Sequence, residues 1–527
     1  MTEPAGRVRA AVTGRGATGA VKASRQSVRR RLDRFSLRVQ ARVDADWSDR
    51  VLPWVLAASL FTVLAGLSVA SVRSLHGGDG LGVWLQAGWL VRHGLAPVST
   101  ISGANPISGQ WSFVAWPALL LTNAVRAPVD LAVLQSAALA VAVVPLWRLA
   151  REIAHLRIGA TCAVIFAYGL APTVQATNLS ILHPEVVAVP ALLTAFLSYR
   201  RDQRIGYWVA VAVVLSCRAD LGLVVALLGV LMVMEGHRRW GTATVLIGVA
   251  WTVAAVLVLR PEIPVGPLNP AQAAAAGGVA PLAALRGLFT DPGQVLSDLF
   301  AKDSIDVLVA VFGGLLFLPL VAPRFLMPAV PTLVLGLSGE HAVKRAAGAS
   351  ATIDVASPDR VVVALAFVFI AAVMALERMG KRSVTRVNVD HRLVAALLIA
   401  ALALFSQDAA SSPYERPWTW GTRSAVDRAR VTAAHRIGER SVAASPELLS
   451  LVAERRLVRS LPIQPLPSDT QIGRGVDAVV LDTTDQSVVG GWTLASRSIA
   501  RSKLRDEGFH LVYGQAGIYA FVRGVDR

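Results

Sequence analysis

Residues 241–259 read GTATVLIGVAWTVAAVLVL, nineteen positions without a charge, with Arg238 and Arg239 before them and Arg260 after. A helix rises about 1.5 Å per residue, so this block reaches about 28 Å, the thickness of a bilayer's hydrocarbon core. Comparable blocks recur along the chain. They run approximately over 52–71, 129–147, 158–175, 184–199, 205–217, 220–236, 241–259, 305–322, 325–338, 360–377 and 392–406, which predicts about eleven spanning helices. With 54% of its 527 residues hydrophobic and a mean hydropathy of +0.53, the chain is too apolar for a water-soluble globule.

The formal net charge of +17 suggests a nucleic-acid binder until the positions of the charges are read. The first fifty residues hold about a dozen Lys and Arg, including Arg29, Arg30 and Arg31, and most of the others fall in short loops between apolar blocks. Alternation from a cytoplasmic N-terminus puts Arg148, Arg151 and Arg157, then Arg200, Arg201 and Arg204, then Arg238 and Arg239, Arg324, and finally Arg378, Lys381, Arg382, Arg386 and Arg392 in inside loops. That is the distribution that retains loops in the cytoplasm, so the charge speaks for a membrane and against nucleic acid. The loops on the other side are poorer in Lys and Arg, with none between Pro172 and Glu185. Trp111 to Val125 is apolar but short, and a crossing there would turn every later basic loop outward. It is read as a re-entrant or interfacial helix with Trp111 and Trp116 at headgroup depth. The basic segment from Arg25 to Arg42 has two readings, a disordered retention signal or a stretch lying on anionic lipid. No cleavable leader is expected, so the first span is an anchor in the cytoplasmic membrane. Cys162 and Cys217 both fall in or beside apolar blocks and imply no disulfide framework.

The expected fold class is therefore a polytopic α-helical membrane protein with a small C-terminal extracytoplasmic α/β domain. Residues 1–50 form the basic cytoplasmic tail, 51–406 the spanning domain with outer loops at 72–128 and 260–304, and 407–527 the α/β domain. Pro261 to Ser304 is read as a mobile loop with a short helix. Beyond Ser406, helices are expected over Ser424–Gly438, Pro446–Arg455 and Leu494–Asp506, with strands over Ala478–Asp482, His510–Tyr513 and Ile518–Arg523.

No phosphate loop, His-Glu-x-x-His or zinc-spaced Cys pair occurs, so any chemistry is membrane-linked. Ionisable residues at the helix ends are then informative, because they are costly near hydrocarbon. Asp79 lies in Gly77-Gly78-Asp79-Gly80 and reads either as a cap of the following helix or as a functional carboxylate. In His183-Pro184-Glu185, Pro184 suits a first helical turn and Glu185 suits the positive end of its dipole, whereas His183 is unexplained by either. Arg218 and Asp220 read either as an internal ion pair or as a carboxylate beside a guanidinium fork open to a lipid-linked phosphate. The alternation puts all five residues on the outer side.

Gly78-Asp79-Gly80-Leu81-Gly82 with Gln86 and Trp89, Leu134-Gln135, Leu146-Trp147-Arg148-Leu149-Ala150, Leu182-His183-Pro184-Glu185 with Pro190, and Leu318-Pro319-Leu320-Val321-Ala322-Pro323 together resemble a bacterial membrane family, domain of unknown function 2079. The family often carries Lys-Glu-Asp where this chain has Arg218-Ala219-Asp220, so the middle carboxylate is absent. The family in turn resembles the GT-C glycosyltransferases, which take sugars from polyprenyl-phosphate donors and commonly carry a catalytic carboxylate in the first outer loop. The resemblance implies a GT-C-like fold, with Asp79 as general base, His183 and Arg218 on the departing lipid phosphate, and Gln86 in the substrate-binding set. Glu185 and Asp220 would orient those groups or hold a divalent cation. Implied partners are membrane lipid, a polyprenyl-phosphate sugar donor, and an envelope glycan or protein acceptor bound by the C-terminal domain. The alternative, from another class, is a non-catalytic scaffold, a lipid- or polymer-binding protein, or a transporter. Transport predicts mid-span charges and repeat symmetry, and neither is found.

Overall fold

The computed structural model describes residues 46–75, 78–121, 127–180, 182–259, 270–347, 358–382, 386–409, 421–461, 471–484 and 493–524. The basic tail, apart from its last residues, lies outside them. Among the described residues five helices are long and apolar enough to cross a membrane, namely Trp47–Arg73, Ala127–Ile153, Ile158–Leu179, Arg238–Leu259 and Val361–Met379. Shorter apolar helices cover Arg204–Cys217, Leu221–Met234, Gly278–Thr290 and His391–Gln407.

Burial sorts these helices. Val361–Met379 is buried along nearly its whole length, as a helix apolar on every side must be if it is the centre of a bundle. Arg238–Leu259 is peripheral, held to Leu221–Met234 by four glycines at seven-residue spacing. A Cβ on Gly248 would come within 2.5 Å of the Gly222 carbonyl oxygen, and one on Gly241 within 2.7 Å of that of Gly229. The two backbones touch where side chains would otherwise stand between them.

Several spans are broken. The block at 158–175 divides at Leu170 into Ile158–Gly169 and Pro172–Leu179. The block at 305–322 is α-helical only to Phe312, after which 3-10 turns at Gly313–Leu315 and Leu318–Val321 flank Leu316 and Phe317, which adopt positive φ of 52° and 55°. Trp111 to Val125 contains a six-residue helix, Ala115–Leu120, about 9 Å long and too short to cross. The loop reading of Pro261 to Ser304 needs correction. Its described part holds two helices, Pro270–Thr290 and Pro292–Leu299, because the Ala-rich stretch is a strong helix former.

The C-terminal segment forms a five-stranded mixed sheet. Val458–Ser460, Val442–Ala444 and Ala478–Asp482 are parallel neighbours, and Ile518–Arg523 and Phe509–Gln515 extend the sheet antiparallel. Helix Ala425–Arg436 opens with a capping box between Ser424 and Asp427, which satisfies backbone donors at the helix start. Pro446 to Arg455 is shorter than expected, a 3-10 turn at Pro446–Leu448 running into Leu449–Val452. The sheet domain does not hang free. Its Leu448, Leu449 and Val452 share one core with Leu81, Trp84 and Leu85 of the Gly78–Arg92 helix and with Ile101 and Ile107 of the loop that follows it.

Candidate active site

The helix Gly78–Arg92 begins one residue before Asp79. Asp79 therefore stands in the first turn and not in the capping position ahead of it, and the helix dipole favours an anion there. Its side chain lies outside the described ones. Leu81, one residue past the next glycine, lines a cavity of about 20 Å³ together with Ser68, Leu131, Gln135, Ser180 and Leu182. The volume suits about one water.

His183 stands on the far side of Gln135. The Gln135 side chain accepts the His183 backbone N–H at 2.7 Å and donates to the Thr177 carbonyl at 2.5 Å. Asn178 braces the same loop, accepting from Ser136 at 2.7 Å and donating to the Leu64 carbonyl at 2.9 Å. These side chains tie down both sides of the break between the helix that ends at Leu179 and the 3-10 turn that begins at Pro184. Neither Gln135 nor Asn178 was singled out from sequence for this work, although both lie in or beside the motifs quoted above.

The four charged or titratable residues predicted from the helix ends come together. His183 Nδ1 lies 3.1 Å from Glu185 Oε1, Arg218 Nη1 donates to the same oxygen at 2.9 Å, and Arg218 Nε and Nη2 bond the two Asp220 oxygens at 2.5 and 3.0 Å. All four residues are only 4% to 6% exposed. The ion-pair reading of Arg218 and Asp220 is thus realised, and extended by Glu185. Three of the five guanidinium N–H groups are engaged in these bonds, and the bidentate edge is on Asp220. The backbone closes over this turn, because Ala219 N–H donates to the Gln110 carbonyl and Val114 N–H to that of Ser216. The loop after the Gly78–Arg92 helix therefore clasps the Arg218 turn.

The arrangement does not suit a divalent cation between Glu185 and Asp220, since the Arg218 guanidinium stands there and supplies the positive charge. Among the described residues no three His, Cys, Asp or Glu side chains converge as metal ligands.

Gln86 requires a correction. It is fully buried, and all four of its hydrogen-bonding positions are filled by the protein. Its Nε2 donates to Thr100 Oγ1 at 2.8 Å and to the Arg455 carbonyl at 3.3 Å, while Oε1 accepts from Ser99 Oγ at 2.7 Å and from Thr100 N at 2.9 Å. Gln86 joins the Gly78–Arg92 helix to the loop that follows it and to the sheet domain, and has no capacity left for a substrate. Thr100 extends the seam by donating to the Val458 carbonyl at 2.8 Å.

Fold and site together describe a mostly helical, multi-pass membrane protein with a small C-terminal mixed sheet packed on the Gly78–Arg92 helix and a buried charge network at one end of its helices. The chain belongs to the family of predicted membrane proteins called domain of unknown function 2079, whose model matches residues 74–517. No curated protein matches it. Among solved structures, ArnT from Cupriavidus metallidurans bound to undecaprenyl phosphate aligns over 92% of this chain and 99% of its own, at 12% identity and a TM-score of 0.47. Arabinofuranosyltransferase AftD from Mycobacteria aligns over 88% of this chain and 40% of its own, at 14% identity and a TM-score of 0.42. The Archaeoglobus fulgidus oligosaccharyltransferase in the apo form aligns over 89% of this chain and 74% of its own, at 11% identity and a TM-score of 0.41.

Proposed function

We propose that this protein is a glycosyltransferase that moves a sugar from a polyprenyl-phosphate donor to an acceptor hydroxyl on the outer face of the cytoplasmic membrane. The observation that carries the reading is the buried cluster of His183, Glu185, Arg218 and Asp220. A small cavity lies between Leu81 of the helix bearing Asp79 and the Gln135 that holds His183. In this reading Asp79 takes the proton of the acceptor hydroxyl as its oxygen bonds the sugar carbon, and the bond from that carbon to the phosphate oxygen breaks. Charge left on the lipid phosphate is met by His183 and by the two Arg218 N–H groups beyond the ion pairs. Glu185 and Asp220 hold those groups in place. The sheet domain, built into the Asp79 helix, binds the acceptor.

The same reading takes eleven spans, a cytoplasmic N-terminus and an external sheet domain, supported by the basic residues at one set of helix ends. Two experiments test it. Full-length protein in neutral detergent, given a panel of polyprenyl-phosphate-linked sugars and an envelope extract as acceptor, is expected to release polyprenyl phosphate. No release with any donor contradicts the enzyme and favours a scaffold. Single cysteines at Leu511→Cys and Arg239→Cys, in a chain without Cys162 and Cys217, are expected to react with an impermeant maleimide on intact cells at 511 only. Labelling at 239 alone overturns the topology.

A further inference from the structure

The helix Ala188–Arg200 leaves the charge network at one end of the bundle and reaches a different cluster at the other. There the guanidinium carbons of Arg324, Arg378 and Arg200 lie 4.5, 5.7 and 5.8 Å from the centre of one ring, that of Phe325. Phe325 is fully buried, so its ring is the floor on which three cations from three separate elements converge. Arg200 also stacks on Phe196 and Tyr199 and reaches Glu235 at 3.4 Å, yet its buried Nε has no hydrogen-bond partner among the described residues. Arg378 donates to the Val321 carbonyl at 3.1 Å. Arg324 and Arg378 are exposed, and neither has a carboxylate within ion-pair distance among the described residues. By contrast Arg201, next in sequence to Arg200, is bonded to Glu152.

A ring quadrupole attracts one cation, or two on opposite faces, only weakly at exposed sites. It does not offset the mutual repulsion of three. Retention of a loop in the cytoplasm needs positive charge but not its convergence on one side chain. Convergence of guanidinium forks is what an anion with several acceptor oxygens requires. The cluster also has an apolar rim. Leu320 and Val321 precede Arg324, and Met379 follows Arg378, at 53%, 48% and 51% exposure. The positive φ at Leu316 and Phe317 turns the backbone just ahead of them and leaves Phe317 47% exposed. A free phosphate satisfies the cations alone, whereas a phospholipid satisfies the cations with its headgroup and the rim with its chains.

We infer that Arg200, Arg324 and Arg378, over Phe325, form a binding site for the phosphate headgroup of an anionic membrane lipid. None of these residues belongs to the proposed catalytic end, so the two readings stand or fall separately.

The test uses the full chain in neutral detergent, with native mass spectrometry after addition of phosphatidylglycerol, phosphatidylcholine or inorganic phosphate. Wild type is expected to retain phosphatidylglycerol over phosphatidylcholine by on the order of tenfold or more, from the attraction of each basic residue to anionic lipid. The Arg324→Gln, Arg378→Gln double variant loses that preference, and the matching Arg→Lys pair keeps most of it. Millimolar inorganic phosphate leaves the bound lipid in place. Equal preference in wild type and the Gln variant overturns the site. Displacement of phosphatidylglycerol by inorganic phosphate overturns the lipid assignment and gives the site to a soluble phosphate. The ligand-free melting temperature is the folding control. If the double variant melts early, Arg324→Gln alone carries the comparison, because that side chain makes no hydrogen bond among the described residues.

Discussion

The two ends of the helix pair Ala188–Arg200 and Leu221–Met234 present the same residue types in opposite states. At one end Glu185 and Asp220 meet Arg218 under the loop that follows the Gly78–Arg92 helix, all three nearly inaccessible, with the cation matched by carboxylates. At the other end Arg200 and Glu235 sit among Arg324 and Arg378, where cations outnumber carboxylates and half the cluster is open. The difference is one of desolvation. Charges taken out of solvent persist only when paired, while exposed ones tolerate imbalance and remain available to a ligand.

The sharpest way to break this comparison is Arg218→Met, which leaves two buried carboxylates facing each other. It is expected to cost about 3–5 kcal/mol of stability, or to prevent accumulation of folded protein. A melting temperature like that of wild type would show that the closed end is wetter than its burial indicates. Gln86→Ala is next in size. It strips Ser99, Thr100 and the Arg455 carbonyl of a buried partner, at about 1–3 kcal/mol. Faster proteolytic release of the sheet domain, with the helical part intact, is the readout.

Asp298 is an intermediate case, a buried carboxylate whose partner Arg345 is 46% exposed along its side chain. Burial pushes the Asp298 carboxyl up, but the two bonds from Arg345, with those from Gln294 and Ser338, outweigh it and hold the group below its ordinary value. The sign follows: a carboxyl depressed by folding stabilises the protein above its unfolded pKa, and that contribution is lost as pH falls through the folded value. Unfolding followed on the acid side is expected to show Asp298→Asn less pH-dependent than wild type. The smallest effect is expected for Arg378→Gln at the open end, within about 1 kcal/mol by thermal unfolding. A larger loss would mean that this end too is held by its charges.

Much of this was legible in the chain because it is written locally. Charge-free blocks specify spans, and the predicted bounds of Ala478–Asp482, Leu494–Asp506 and Ile518–Arg523 match the observed elements. His183, Glu185, Arg218 and Asp220 were expected at one end, and the structure brings them together. What escaped the sequence is set by distant contacts. Val442–Ala444 and Val458–Ser460 are three-residue strands defined only by parallel pairing. The role of Gln86 depends on a carbonyl 369 residues away. The arginines around Phe325 read as separate basic loops until the fold gathers them. The Ala-rich helix at Pro270–Thr290 was misread for another reason, its Gly and Pro content outweighing a strong helical propensity.

The proposed chemistry begins at the carboxylate in the first turn of the Gly78–Arg92 helix. Its direct test is release of polyprenyl phosphate by Asp79→Asn against wild type, in the same detergent and with the same donors, with melting temperature measured on both. The expected result is a fall of about 10²–10⁴-fold, the usual contribution of a positioned general base, at an unchanged melting temperature. Turnover within a few-fold of wild type would contradict a catalytic Asp79.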